Sequence, residues 1–272
     1  MNTLNAMADS VYKSVNVSEK QLLFLKKLDD FEIDYFKMES IQDEIGVRFE
    51  NINEVLENLT DKNLLKRIEK GKYARENFND QNVIANILVE NSAVAYWSAL
   101  HLHGMTSRFP NTVFVQTTQR KKGKTVFGVS YKFISVAERK FIGITTSGYG
   151  NYSFSITDVD KTLVDCFDLP QHSGGFDGLV QAFAIAKLNS QNLIKYCTAI
   201  NNIAIIKRMG FLAELFQKKG TKGFITWAQK KINPKYNLID AGGLETGEFI
   251  REWRLRLNVS RDDLLNLTTE IY

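Results

Sequence analysis

The chain has 272 residues, 44% hydrophobic, 24% charged and 11% aromatic, with a net charge of +4, which suits one large folded domain or two ordinary ones and excludes disorder as the main state. Two cysteines, Cys166 and Cys197, exclude a disulfide framework and a zinc site built from cysteines alone. No apolar run reaches the roughly 18 residues of a spanning helix, and residues 1–10 lack the basic and apolar regions of a secretory signal. A cytoplasmic protein with no membrane partner is expected.

In chain order, Ser18 followed by Gln21 predicts a capping box. Leu22, Leu23, Leu25 and Leu28 supply an apolar face for the first helix. A second helix over residues 38–45, with Ile41 and Ile45 on one side, stops at Gly46. A third covers residues 49–60, apolar at Ile52, Val55, Leu56 and Leu59. Residues 64–68 and 72–75 then flank the turn Glu69-Lys70-Gly71 as a hairpin.

Helix, helix, tight turn, helix, basic hairpin is the order of a winged helix-turn-helix, expected over residues 1–80. In that arrangement Arg48, Asn51 and Asn53 would approach base edges. Lys66, Arg67, Lys70, Lys72 and Arg75 would hold phosphates, the contacts that supply most of the affinity for DNA. The third helix also carries Glu50, Glu54 and Glu57. Phosphates repel carboxylates, although glutamate can accept from cytosine N4, so these residues point to a weak or selective reader. The same fold also serves as a protein-interaction module.

Asp80 is a helix cap and opens the second unit, residues 81–272. Helices are predicted at 80–90 and 92–103. Strands are predicted at 113–118, 125–129, 131–136, 141–146 and 152–156, with turns short enough for an antiparallel meander. Thr157 would cap a helix whose apolar face is Val159, Leu163, Cys166 and Phe167, ended by Pro170 and Gly174-Gly175. Helices follow at 176–187, 191–199, 202–218 and 222–231, with a last one from Glu248 into the tail. The fold class is α+β: an N-terminal winged helix-turn-helix, then a larger mixed α/β domain with an antiparallel sheet and C-terminal helices.

The charge is unevenly spread. Residues 1–80 carry 12 Lys and Arg against 16 Asp and Glu, a net −4, which leaves +8 for the remainder. Residues 91–137 contain no acid but hold Arg108, Arg120, Lys121, Lys122, Lys124 and Lys132. The run Arg120-Lys121-Lys122-Lys124 reads as a hairpin tip that would extend a DNA footprint. A basic half of this kind points to a polyanionic or acidic partner.

Catalytic patterns are weak. His101, His103 and His172 lack the i, i+4 spacing of paired metal ligands. Gly148-x-Gly150 opens no helix, and neither a Walker A pattern nor a Gly-x-Ser-x-Gly elbow occurs. Converging carboxylates are what metal-assisted phosphodiester cleavage needs. Glu138 beside Lys140 has no second acid in the preceding strands. Asp158 and Asp160 beside Lys161 stand at a helix start, where acids favour the dipole, and Asp165 and Asp168 continue a polar face. Cys166 reads as a buried thiol. A protein without enzymatic activity, metal or cofactor is expected, with a nuclease acting through Asp158 and Asp160 as the alternative among enzymes.

The succession of Leu64-Leu65-Lys66-Arg67-Ile68-Glu69-Lys70-Gly71-Lys72-Tyr73-Ala74, Tyr96-Trp97-Ser98-Ala99-Leu100-His101-Leu102-His103-Gly104 and Val113-Phe114-Val115 resembles the AbiEi antitoxins of abortive-infection toxin–antitoxin systems. Asp158-Val159-Asp160-Lys161-Thr162-Leu163-Val164-Asp165, Gly174-Gly175 and Lys207-Arg208-Met209-Gly210-Phe211-Leu212-Ala213-Glu214 carry the resemblance on, over residues 18–214. It implies a type IV antitoxin of phage defence that represses transcription of its own operon. The partners implied are double-stranded DNA with inverted repeats in its own promoter, bound by two copies per operator, and a nucleotidyltransferase-like toxin countered without a stable complex. The rival reading from the residues is an interaction protein whose basic C-terminal domain binds an acidic protein or RNA.

Overall fold

The computed structural model describes residues 16–269; residues 1–10, read above for a secretory signal, lie outside them. The chain divides into two compact units, Met1–Asn79 and Asp80–Tyr272. Together their described residues form an α+β protein with eleven α-helices and three sheets.

In the first unit, α1 (Glu19–Asp30) opens with the Ser18 capping box: Gln21 N donates to Ser18 Oγ, and Ser18 N to Gln21 Oε1. The buried face of α1 differs from the expected row of leucines. Gln21, Phe24 and Leu28 are buried, while Leu22 is 61% and Leu23 42% exposed. Aromatic packing accounts for the rotation, because the Phe24 ring meets Phe36 and Phe49 edge-on, each at 5.6 Å.

A strand absent from the expected order, β1 (Tyr35–Lys37), comes next. The one-turn α2 (Ile41–Glu44) buries Ile41 and Ile45. Gly46 follows at φ +66°, the left-handed conformation that lets the chain reverse without a Cβ penalty. Then α3 (Ile52–Asp61) buries Val55, Leu56 and Leu59 against β2 (Leu65–Glu69), and Gly71 turns the chain into β3 (Lys72–Arg75). The three strands form an antiparallel sheet in the order β1-β3-β2.

The second unit begins with α4 (Gln81–Leu88), capped by Asp80, whose Oδ1 accepts from the backbone N–H of Asn82 and Val83. Residues 92–103, expected as one helix, are instead a strand, β4 (Ser92–Val94), and a helix, α5 (Tyr96–Leu102). Asn91 and Tyr96 at φ +49° and +54° interrupt helical geometry on both sides of β4. Next come β5 (Thr112–Thr117), β6 (Lys124–Val126), β7 (Val129–Ser135), β8 (Ile144–Ser147) and β9 (Phe154–Thr157).

These strands do not form an antiparallel meander. Their order is β6-β7-β5-β4-β9-β8, with β5/β7 and β4/β9 parallel and the other pairs antiparallel. The short, fully buried β4 completes the sheet by lying between β5 and β9.

Asp158, not Thr157, caps α6 (Val159–Asp168), because Thr157 is spent as the last residue of β9. The helices α7 (Phe176–Ile185), α8 (Ser190–Ile200), α9 (Ile203–Leu215) and α10 (Lys222–Gln229) follow. The expected helix from Glu248 is replaced by β10 (Asn237–Leu238), β11 (Glu248–Ile250), β12 (Leu255–Leu257) and α11 (Arg261–Thr269). In this small sheet β12 pairs with β10 in parallel and with β11 in antiparallel fashion. Ile250, Trp253, Leu255, Leu257 and Leu264 from this region join the same core as α6–α9. Gly210 on α9 lies under the Trp253 ring, and Trp253 Nε1 donates to Glu214 Oε2 at 2.6 Å. Among the described residues no helix is long and apolar enough to cross a membrane.

Candidate nucleic-acid interface

The outer face of α3 presents Asn53, Glu54 and Glu57 to solvent, with Asn51 at its start. Asn51 is the N-cap: its Oδ1 accepts from Glu54 N at 3.3 Å, and its Nδ2 donates to Glu54 Oε2 at 3.1 Å. Arg48 pairs with Asp43, and Glu50 lies 3.5 Å from Lys20 Nζ. Two of the three expected base readers, Arg48 and Asn51, thus already have partners within the unit, leaving Asn53 between carboxylates. Exposed ion pairs such as Arg48–Asp43 contribute little and exchange readily with other anions.

The hairpin divides its bases in two. Lys72 Nζ bonds Glu69 Oε1 at 2.8 Å, both side chains being largely buried, and Arg75 Nη2 bonds Asp29 Oδ1 at 2.7 Å. Arg67 and Lys70 are exposed, while Lys66 is half-buried on β2. A register shift between Arg67 and Glu69 bends β2 just before the turn. The Lys72–Glu69 pair flanks the Lys70-Gly71 turn and the Arg75–Asp29 pair stands at the open end, so the hairpin leaves exposed Arg67, in the middle of β2, and Lys70, in the turn.

In the second unit the run Arg120-Lys121-Lys122-Lys124 is not a hairpin tip. It carries the chain from β5 to β6, which lie on opposite sides of β7. The tight hairpin is β6–β7, with Phe127 and Gly128 at φ +50° and +81° as a type I′ turn demands. Arg120 and Lys122 are exposed, and Lys124 begins β6. Lys121 turns inward, donating to Leu88 O and lying 5.7 Å from the Phe133 ring centroid.

Asp158 and Asp160 serve as hydrogen-bond acceptors, and Glu138 is exposed on a 3-10 turn. Asp158 accepts from Lys161 N and Tyr196 Oη, and Asp160 from Asn189 N and Asn192 Nδ2 at 2.9 and 3.0 Å. Burial raises the Asp160 carboxyl above its ordinary range, and these donors pull it partly back. Among the described residues no group of three or more His, Cys, Asp or Glu is placed to hold a metal.

The polar face expected on α6 is also buried. Lys161 and Asp165 form an ion pair there; Gln116 Nε2 bridges Asp165 Oδ2 at 2.9 Å and the Tyr96 hydroxyl at 3.1 Å. Burial pushes the Asp165 carboxyl and the Tyr96 hydroxyl up, against the pull of Lys161 and Gln116 respectively. His103 Nε2 meets Thr157 O at 2.7 Å, while Nδ1 of His101 and of His172 is buried with no hydrogen-bond partner. Burial raises the Cys166 thiol well above its usual value.

No protein-family model matches this chain, and no curated protein matches it. Among solved structures it is similar to the RV2827C protein from Mycobacterium tuberculosis, with a TM-score of 0.63 and 12% identity over 93% of this chain and 96% of that one. At that identity the likeness concerns the fold alone.

Proposed function

We propose that the first unit is a winged helix that binds double-stranded DNA, and that the protein is an antitoxin repressing its own operon. The observation that carries the reading is the hairpin of β2 and β3, which packs on α3 in an antiparallel sheet and exposes Arg67 on β2 and Lys70 in its turn. The reversal at Gly46 fits it, but residues 45–51 connect α2 to α3, more than the about three or four of a tight helix-turn-helix, because α3 starts at Ile52 and not at residue 49 and leaves Arg48 and Glu50 ahead of it. The AbiEi resemblance supplies the remainder: two copies on inverted repeats, and antagonism of a nucleotidyltransferase-like toxin without a stable complex. Glu54 and Glu57 on α3 favour a second reading, in which the first unit binds a basic protein surface.

The test is fluorescence anisotropy with the duplex upstream of the protein's own gene, against a scrambled duplex, across a salt series. The expected result is tighter binding to the native duplex by a factor of about 10³ or more. Equal binding to both duplexes would remove the operator from the proposal, and no binding to either would turn attention to the acidic face of α3.

A further inference from the structure

Residues 207–261 carry 12 Lys and Arg against 5 Asp and Glu, and residues 262–272 add three acids and no base. Within residues 207–261, the sheet β10-β12-β11 turns Ile250 and Leu255 into the core. The opposite face alternates arginine with aromatic rings. Phe249 and Arg256 are register partners, with the Arg256 guanidinium 5.1 Å from the Phe249 ring centroid. Arg254 lies 5.6 Å from the Tyr236 ring centroid, and the Tyr236 and Phe249 rings meet edge-to-face at 5.0 Å.

Three features separate this face from ordinary solvated surface. Phe249 is 55% exposed although it stands on a strand. Arg256 Nε is buried with no hydrogen-bond partner, a donor unused within the protein. The strand edge is also held from behind. Lys207, buried on α9, donates to Asn233 Oδ1 at 2.8 Å, to Asn237 Oδ1 at 2.9 Å and to Lys235 O, fixing the segment that carries Tyr236.

We propose that this face binds single-stranded nucleic acid, with a base stacking on the exposed Phe249 and the backbone running along the arginines. An exposed ring on a strand with guanidinium groups beside it supplies the stacking platform and the phosphate contacts of sequence-tolerant single-strand binding. A duplex cannot use the ring in this way, since its bases are already stacked inside. An acidic protein would use the arginines but would leave the exposed ring without a flat partner. The site belongs to the second unit and is independent of the winged-helix reading.

The test uses the full chain and three probes: a labelled oligouridine of about 12 nucleotides, an oligothymidine of the same length and a duplex of the same length. Both single strands are expected to bind more tightly than the duplex. Phe249→Ala should weaken them about tenfold or more, while Phe249→Trp keeps them. Neither variant should change the duplex affinity, and Arg67→Ala with Lys70→Ala should weaken only the duplex. Unchanged single-strand affinity in Phe249→Ala would overturn the proposal, as would single-strand binding that follows Arg67 and Lys70. Displacement of oligouridine by polyglutamate at equal charge concentration would also overturn it, and would assign the face to an acidic protein. Phe249 lies outside the core, and an unchanged thermal midpoint would confirm that its variants fold.

Discussion

Lys161 places its ammonium against both carboxylate oxygens of Asp165, one helical turn further along α6, and neither side chain reaches water. Removing one partner leaves the other charge buried and unmatched. Asp165→Ala is therefore expected to destabilise the second unit by about 3–5 kcal/mol, and Lys161→Met combined with Asp165→Leu by much less. Urea denaturation followed by circular dichroism measures both; an equal loss in the single and double variants would mean that shape, not charge, governs the site.

Gly210 sits where the Trp253 indole crosses α9, with no room for a Cβ. Gly210→Ala must displace the ring and strain the Trp253–Glu214 hydrogen bond. A loss of about 1–3 kcal/mol is expected, with a shift in tryptophan fluorescence, although alanine is the better helix former. A neutral or stabilising effect in thermal denaturation would show that the C-terminal segment lifts away from α9 at little cost.

On the hairpin of β2 and β3, Arg67→Ala and Lys70→Ala should each reduce the slope of log affinity for duplex against log salt by roughly 1. Glu57→Gln should act in the opposite sense, tightening duplex binding at low salt and fading above about 0.2 M. Anisotropy titrations at four or five salt concentrations resolve both. Unchanged slopes in the alanine variants would detach the hairpin from any DNA contact.

His172 packs against Tyr96 and Phe114 at ring separations of 5.6 and 5.7 Å. Burial, and secondarily the charge of Lys132, holds its pKa below the ordinary 6.5. The unfolded chain then takes up the proton more readily than the folded one, so this contribution to stability is complete above about pH 6.5 and declines below it. The melting temperature should fall between pH 7.5 and 5.5, and His172→Phe should flatten that fall. An identical fall in the variant would assign the pH dependence to other groups.

What could be read in advance was local. The Ser18–Gln21 box, the Val55-Leu56-Leu59 stripe, the Gly71 hairpin and the Asp80 cap all act within a few residues of themselves. Features set by distant partners could not be read. Phe24 outranks Leu22 and Leu23 because Phe36 and Phe49 come to meet it. Ser92-Ala93-Val94 carries no alternation, being buried throughout, and its pairing with Val115-Gln116-Thr117 of β5 and with Ile156 of β9 makes it a strand. Lys161 and Asp165 look solvent-facing until Gln116 arrives from β5. Among the candidate site residues, charge alone could not separate Arg67 and Lys70 from Lys72 and Arg75, whose carboxylate partners bind them internally.

The position of β4 has a kinetic consequence. It separates β6-β7-β5 from β9-β8, and its parallel partner holds Ile156, far along the chain from Val94. During synthesis β4 can pair with β5 early, but its other edge stays open until β9 has emerged. Parallel pairing over so long a loop is slow, because closure entropy is lost before the contacts form. An interval with an open apolar edge invites pairing with another chain, so the yield of refolded protein should depend on its concentration.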